Sequence, residues 1–67
     1  MVCYVNNIVH ETADNQTLAD LLARLGQTQT RGLAVAINEQ VVSRAEWATH
    51  AVRPHDRLTL IRATQGG

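Results

Sequence analysis

The sequence closes on Thr64-Gln65-Gly66-Gly67, directly after a run, Arg57 to Ala63, with the composition of a β-strand. Glycine loses more backbone freedom on ordering than any other residue, so a terminal pair adds nothing to a fold. Two readings are open: a frayed terminus, or a slender arm that delivers the Gly67 carboxylate into another protein. With no side chains on Gly66 and Gly67, such an arm can enter a narrow channel. At roughly 3.3–3.6 Å per extended residue, the last four residues reach on the order of 13 Å.

The other chemistry-bearing residues point elsewhere. Cys3 is the one thiol, and alternation with Val5 puts it on the inward face of a terminal strand, where cysteine acts as a small hydrophobe. His10, His50 and His55 have neither the spacing nor the cysteine partners of a metal site and read as surface or turn residues. All six cationic residues are arginine; without lysine there is no Schiff-base nucleophile and no P-loop lysine. No nucleophile–base pair, phosphate loop or metal cluster emerges, so the chain is not expected to be an enzyme or to bind a cofactor.

These residues need a scaffold, and 67 residues provide one small domain, 1–67, with 64–67 as a flexible tail. A chain near this length buries only about 60% of its unfolded surface. Hydrophobic residues at 45% and charged residues at 18% suffice for a core. Six acidic residues balance the arginines, so the basic excess of a nucleic-acid binder is missing. No apolar run approaches the roughly 20 residues of a membrane span, and no signal peptide is apparent. A lone cysteine fits a reducing compartment, which makes the cytoplasm the expected location.

Val2 to Val5 reads as a strand, Asn6-Asn7 as a tight turn that tolerates the left-handed conformation, and Ile8 to Glu11 as the returning strand. Thr17, with Asp20 three residues on, forms a capping box. Leu18, Leu21, Leu22 and Leu25 then make a helical stripe that Gly26 ends. Residues 27–31 read as a mobile loop. Leu33, Val35 and Ile37 alternate as a strand, Asn38-Glu39 turns it back, and residues 43–50 form a short helix or turn that seats Trp47 on the core. Pro54 breaks the chain, Asp56 forms a turn, and residues 57–64 make the last strand, with Leu58 and Leu60 on one face and Thr59 and Ile61 on the other. This is an α+β arrangement: a mixed sheet of four to five strands with one main helix on one face. The opposite face stays open, and Tyr4, Thr59 and Ile61 fall on it. Tyr4 and Ile61 are apolar enough there to be partner-docking candidates.

The order of elements resembles the ubiquitin-like β-grasp family. Within it the chain is similar to the sulfur carriers of thiamine (thiazole) biosynthesis, through Asn6, the helix at 17–25, the Ala34 to Asn38 strand, the run Val41, Val42, Arg44 and Trp47, the turn at Asp56, and the Gly-Gly end. Two positions depart from that pattern: Ser43 stands where proline is common, and His55 where glycine precedes the turn aspartate. The resemblance implies a co-substrate rather than a catalyst. A ubiquitin-activating-like adenylyltransferase would use ATP to convert the Gly67 carboxylate to an acyl-adenylate. Sulfur from a cysteine desulfurase would displace AMP to give a thiocarboxylate, and thiazole synthase would receive it. Gln65, Gly66 and Gly67 would enter those active sites from a carrier that is monomeric alone. Arg62, near the tail, reads either as a contact for an acidic partner surface or as a solvated strand residue. Arg44 reads either as a helix-end charge or as a docking charge. The small subunit of molybdopterin synthase, similar in fold and tail but typically longer, is the alternative carrier. A ubiquitin-like binding module with incidental glycines is the alternative outside that class.

Overall fold

A computed structural model describes residues 1–27 and 31–63. Strands β1 (Val2–Val5) and β2 (Ile8–Glu11) pair antiparallel, with Val5 opposite Ile8 and Tyr4 opposite Val9. The two residues between them, Asn6 and Asn7, sit at φ 50° and 69°. That is the left-handed pair of a two-residue hairpin, where asparagine is tolerated better than most side chains. The device recurs at Asn38 (φ 51°) and Glu39 (φ 70°), which join β3 (Leu33–Ile37) to β4 (Gln40–Val42).

The sheet is completed by β5 (Arg57–Arg62), two residues shorter than the 57–64 read from the sequence; Thr64 lies outside the described residues. The strand order is β2-β1-β5-β3-β4. β5 runs parallel to β1 and antiparallel to β3, so the sheet is mixed and has the upper of the two expected strand numbers. β1 accompanies only the start of β5, through Tyr4–Arg57 and Val5–Leu58. Beyond that point the Asn6 side chain replaces a strand: its Oδ1 accepts from the Leu60 amide at 2.9 Å and its Nδ2 donates to the Leu60 carbonyl at 3.4 Å. Buried or half-buried backbone groups need partners, and here an asparagine amide supplies both.

One helix, α1 (Leu18–Arg24), crosses the sheet. Seven residues would not hold a helix in water by themselves. The ends and the buried stripe do it. Thr17 Oγ1 accepts from the Asp20 amide and Asp20 Oδ2 accepts from the Thr17 amide, both at 3.2 Å, which is the expected capping box. The Leu18 and Ala19 amides, orphans in an isolated helix, donate to the carbonyls of His50 and Trp47 at 2.8 and 2.9 Å. At the other end Gly26 takes φ 78°, with Gly26 donating to Ala23 and Gln27 to Leu22, so the helix closes in a Schellman motif.

Cys3, Val5, Leu33, Val35, Ile37, Val42 and Leu58 from one sheet face meet Leu18, Leu21 and Leu22 of α1 in the core. Trp47 and Val52, from the long connection between β4 and β5, close its side. Trp47 follows a 3₁₀ turn (Arg44–Glu46) and donates from Nε1 to the Val42 carbonyl at 3.0 Å, so its one polar atom is satisfied while its ring is buried. Ser43 sits at φ −67°, the value proline would fix, and its hydroxyl donates to Glu46 Oε1 instead. His55 takes φ 69°, the backbone a glycine would hold without strain. Both departures thus sit on backbone that the residue of the usual pattern would also adopt.

Candidate functional site: the open sheet face and the strand that leads to the tail

Directly paired residues of a sheet share a face, so the register sorts the side chains. The face turned from α1 carries Val9 on β2, Val2 and Tyr4 on β1, Arg57, Thr59 and Ile61 on β5, Ala34 and Ala36 on β3, and Val41 on β4. Tyr4, Thr59 and Ile61 therefore lie together as the alternation predicts. Val41 is 80% exposed, Ile61 59% and Val9 58%, and only helix-free surface lies over them. Scattered exposed apolar residues are ordinary, but three of them on one face, from three strands, form the pattern of a contact surface.

Tyr4 is half-buried rather than open. The Arg57 guanidinium lies 4.8 Å from its ring centroid, close enough for a cation–π contact. This contact, and the exposed Val9 and Val41, are the parts of the face that reading the sequence missed. Val9 was within reach, because a two-residue turn at Asn6-Asn7 forces it opposite Tyr4. Arg57 was not, because nothing in the sequence specifies how β1 and β5 align.

Arg62 is not part of this surface. It pairs with the buried Leu33 and so projects from the α1 side of the sheet. There its Nη2 donates to Gln27 Oε1 at 2.6 Å and its Nη1 to the Arg31 carbonyl at 3.5 Å. A cation clasping both ends of the 27–31 loop ties the helix exit to the last turn of β5. One residue on, the Ala63 amide donates to the Gly32 carbonyl at 2.7 Å. Gly32 has φ 74°, and a β-carbon there would meet the Ala63 carbonyl oxygen at 3.4 Å. The strand is thus held to its final described residue. Gln65, Gly66 and Gly67 lie outside the described residues, as do Thr28, Gln29 and Thr30 of the loop read as mobile.

The entry to β5 is fixed by Asp56, which is 8% exposed. Its Oδ1 accepts from Asn38 Nδ2 at 3.0 Å and its Oδ2 from the Arg53 amide at 2.8 Å. Asn38 Oδ1 in turn accepts from the Arg57 amide at 3.0 Å, and the Tyr4 amide donates to the Asp56 carbonyl at 2.9 Å. The turn former expected from the sequence is also a latch between the β3–β4 hairpin and the two central strands.

Cys3 is fully buried, as the alternation predicts. Burial pushes its thiol pKa up from the ordinary value of 9.0 and the Asp56 carboxylate adds to that, while the N-terminal ammonium and the Thr12 hydroxyl pull the other way. At neutral pH it is a thiol with no access to a partner. Among the described residues no group of three histidine, cysteine, aspartate or glutamate side chains is placed to hold a metal. Arg44 stacks 5.6 Å from the Trp47 ring centroid, at the rim of the core and away from the open face. No helix among the described residues is long and apolar enough to cross a membrane.

Comparison with known proteins gives this geometry a family. The chain is 40% identical over 62 residues to the sulfur carrier protein ThiS of Escherichia coli K12, covering 92% of each. Its fold matches the crystal structure of the thiamine biosynthesis protein ThiS from Geobacter metallireducens with a TM-score of 0.87 over all of both chains, at 23% identity. A solution structure of a thiamine biosynthesis protein from the same organism gives 0.79, over all of this chain and 88% of that one. The ThiS family profile spans residues 3–67, from the buried Cys3 to the terminal Gly67, and the fold is the ubiquitin-like β-grasp of that family: the chain belongs to the ThiS family.

Proposed function

We propose that the chain carries sulfur for thiamine biosynthesis on its Gly67 carboxylate and acts as a co-substrate of other enzymes. The observation that carries this reading is the 40% identity to a sulfur carrier over 92% of both chains, in a sequence that ends Gly66-Gly67. A carboxylate is a poor electrophile, since its charge is delocalised and the group that would leave is oxide. In the proposed first step a Gly67 oxygen attacks the α-phosphorus of ATP inside a ubiquitin-activating-like adenylyltransferase, and pyrophosphate leaves. The resulting mixed anhydride has AMP as a competent leaving group. The terminal sulfur of a persulfide, formed by a cysteine desulfurase, attacks the acyl carbon and expels AMP. A thiol then cleaves the sulfur–sulfur bond and frees the thiocarboxylate, which thiazole synthase consumes.

The fold supports this division of labour by holding β5 as far as Ala63 and setting its apolar face along the same strand that leads to the tail. A partner seated on Ile61 and Ala34 lies beside the exit of β5. Four extended residues, reaching about 13–14 Å, then cover the distance to a recessed site. ATP is a substrate of the activating partner and is not held by this chain. The buried Cys3 takes no part, because the carrying atom is at the other end of the molecule.

The test is ATP–pyrophosphate exchange by the activating enzyme. Exchange should depend on this chain and vanish when Gly67 is deleted, while the melting temperature of the deleted chain stays within about 1 °C of the intact one, because termini add little to stability. Exchange that survives the deletion would contradict the assignment of Gly67.

A further inference from the structure

We infer that Arg57, held over the ring of Tyr4, is a specificity contact that accepts a carboxylate from the partner covering the open face; this rests on the carrier reading and adds the partner's chemistry. Among the described residues, Arg57 is the one cation on a face that also carries Tyr4, Thr59 and the apolar Val2, Val9, Ala34, Ala36, Val41 and Ile61, with Glu11 at its margin. The Glu11 carboxylate is engaged with the N-terminal ammonium at 3.4 Å. No carboxylate of the described residues lies within 4.0 Å of the Arg57 guanidinium. The ring beneath it orients the guanidinium but supplies no counter-charge, so its hydrogen-bonding edge stays available. Beside it opens a hollow of ≈ 330 Å³ lined by Asn7, Asn38, Glu39, Arg57, Leu58 and Thr59. An aspartate or glutamate side chain can enter there and meet the guanidinium with two parallel hydrogen bonds.

Charge decides among occupants. A second copy of this chain placed face to face brings no spare carboxylate, since Glu11 is already paired and Glu39 lines the hollow beside its own Arg57. A partner with an apolar patch and a carboxylate at its edge satisfies every group. Position decides the consequence. Arg57 begins β5 and the tail follows its end, so the contact lies about 16 Å from Arg62 along the strand. A charge pair at that distance fixes how the partner is seated but touches no reacting atom, so it acts on affinity and leaves the chemical step alone.

The experiment measures binding of the full chain to its activating enzyme, and pyrophosphate exchange at saturating carrier, for wild type, Arg57→Glu and Arg57→Lys, with circular dichroism melts for each. The expected result is a Kd about tenfold or more higher for Arg57→Glu, an intermediate rise of about three- to tenfold for Arg57→Lys, which keeps the charge but loses the paired hydrogen bonds and the ring contact, and an unchanged maximal exchange rate. Wild-type affinity should fall with added salt, and Arg57→Glu should lose that dependence. If Arg57→Glu does not fold, Arg57→Gln replaces it with the same expectation at smaller amplitude. Equal affinity of the neutral or reversed variant and wild type overturns the inference and leaves the carrier reading standing. Binding that depends on Arg57 with no exchange by wild type overturns the carrier reading and leaves the docking contact standing. A dimer in sedimentation equilibrium that masks the face assigns it to a second copy and overturns the proposal.

Discussion

At the scale of single residues, Cys3 shows how burial decides chemistry. In a sulfur carrier a lone thiol invites a role in the transfer, yet full burial and a raised pKa keep it protonated and out of reach. The consequence for stability has a definite sign. The folded pKa lies above the unfolded one, so the thiol's contribution is fully present below pH 9.0 and is lost as pH rises through the raised folded value. Native protein should therefore resist iodoacetamide and react only when unfolded. The stability advantage of wild type over Cys3→Ala should hold up to about pH 9 and shrink above it, where an unfolded cysteine ionises and the buried one does not. Rapid alkylation of the native chain, or an advantage that does not change with pH, would contradict the burial argument. Cys3 was legible in the sequence because alternation with Val5 is a local pattern. Arg62 was not. Its charge and its nearness to the tail left a partner contact and a solvated strand residue both open, and the register with Leu33 adds what neither reading held, a place on the α1 side bonded to Gln27.

At the scale of elements, the sheet depends on short polar side chains that stand in for backbone. Asn6 completes the β1 edge of β5, and Asp56 with Asn38 joins the β3–β4 hairpin to the start of the same strand. Replacing Asp56 by alanine strands the Arg53 amide and the Asn38 amide group. Each unsatisfied donor costs about 1–3 kcal/mol, so Asp56→Ala should lose about 2–6 kcal/mol in urea unfolding. A loss below about 0.5 kcal/mol would show that water replaces the latch. Such contacts mark the limit of what the sequence reveals. The hairpins were legible from Asn6-Asn7 and Asn38-Glu39, and α1 from its leucine spacing and capping box, because both are written within a few residues. The parallel alignment of β1 with β5 joins residues more than fifty apart. That alignment alone brings Arg57 onto Tyr4, so the charged part of the open face was invisible until the strands were paired.

At the scale of the whole molecule, the parts divide into a clamped body and a short working end. Helix, Trp47 and the β4–β5 connection close one side of the sheet, and the other side keeps its apolar row uncovered. The body sets its exposed apolar side chains along β5, the strand that residues 64–67 follow in the sequence, which is the arrangement the proposed carrier role calls for. The fold class, the open face and the Gly-Gly end were readable from pattern and resemblance; the placement of Arg57 on that face was not, because it depends on long-range register. The measurement that bears most directly on the account is intact-protein mass spectrometry after incubation with ATP, cysteine, a cysteine desulfurase and the activating enzyme. The account predicts a mass gain equal to one oxygen exchanged for one sulfur, mapped to Gly67 and absent when Gly67 is deleted. No gain, with enzymes shown to be active on another carrier, would contradict it.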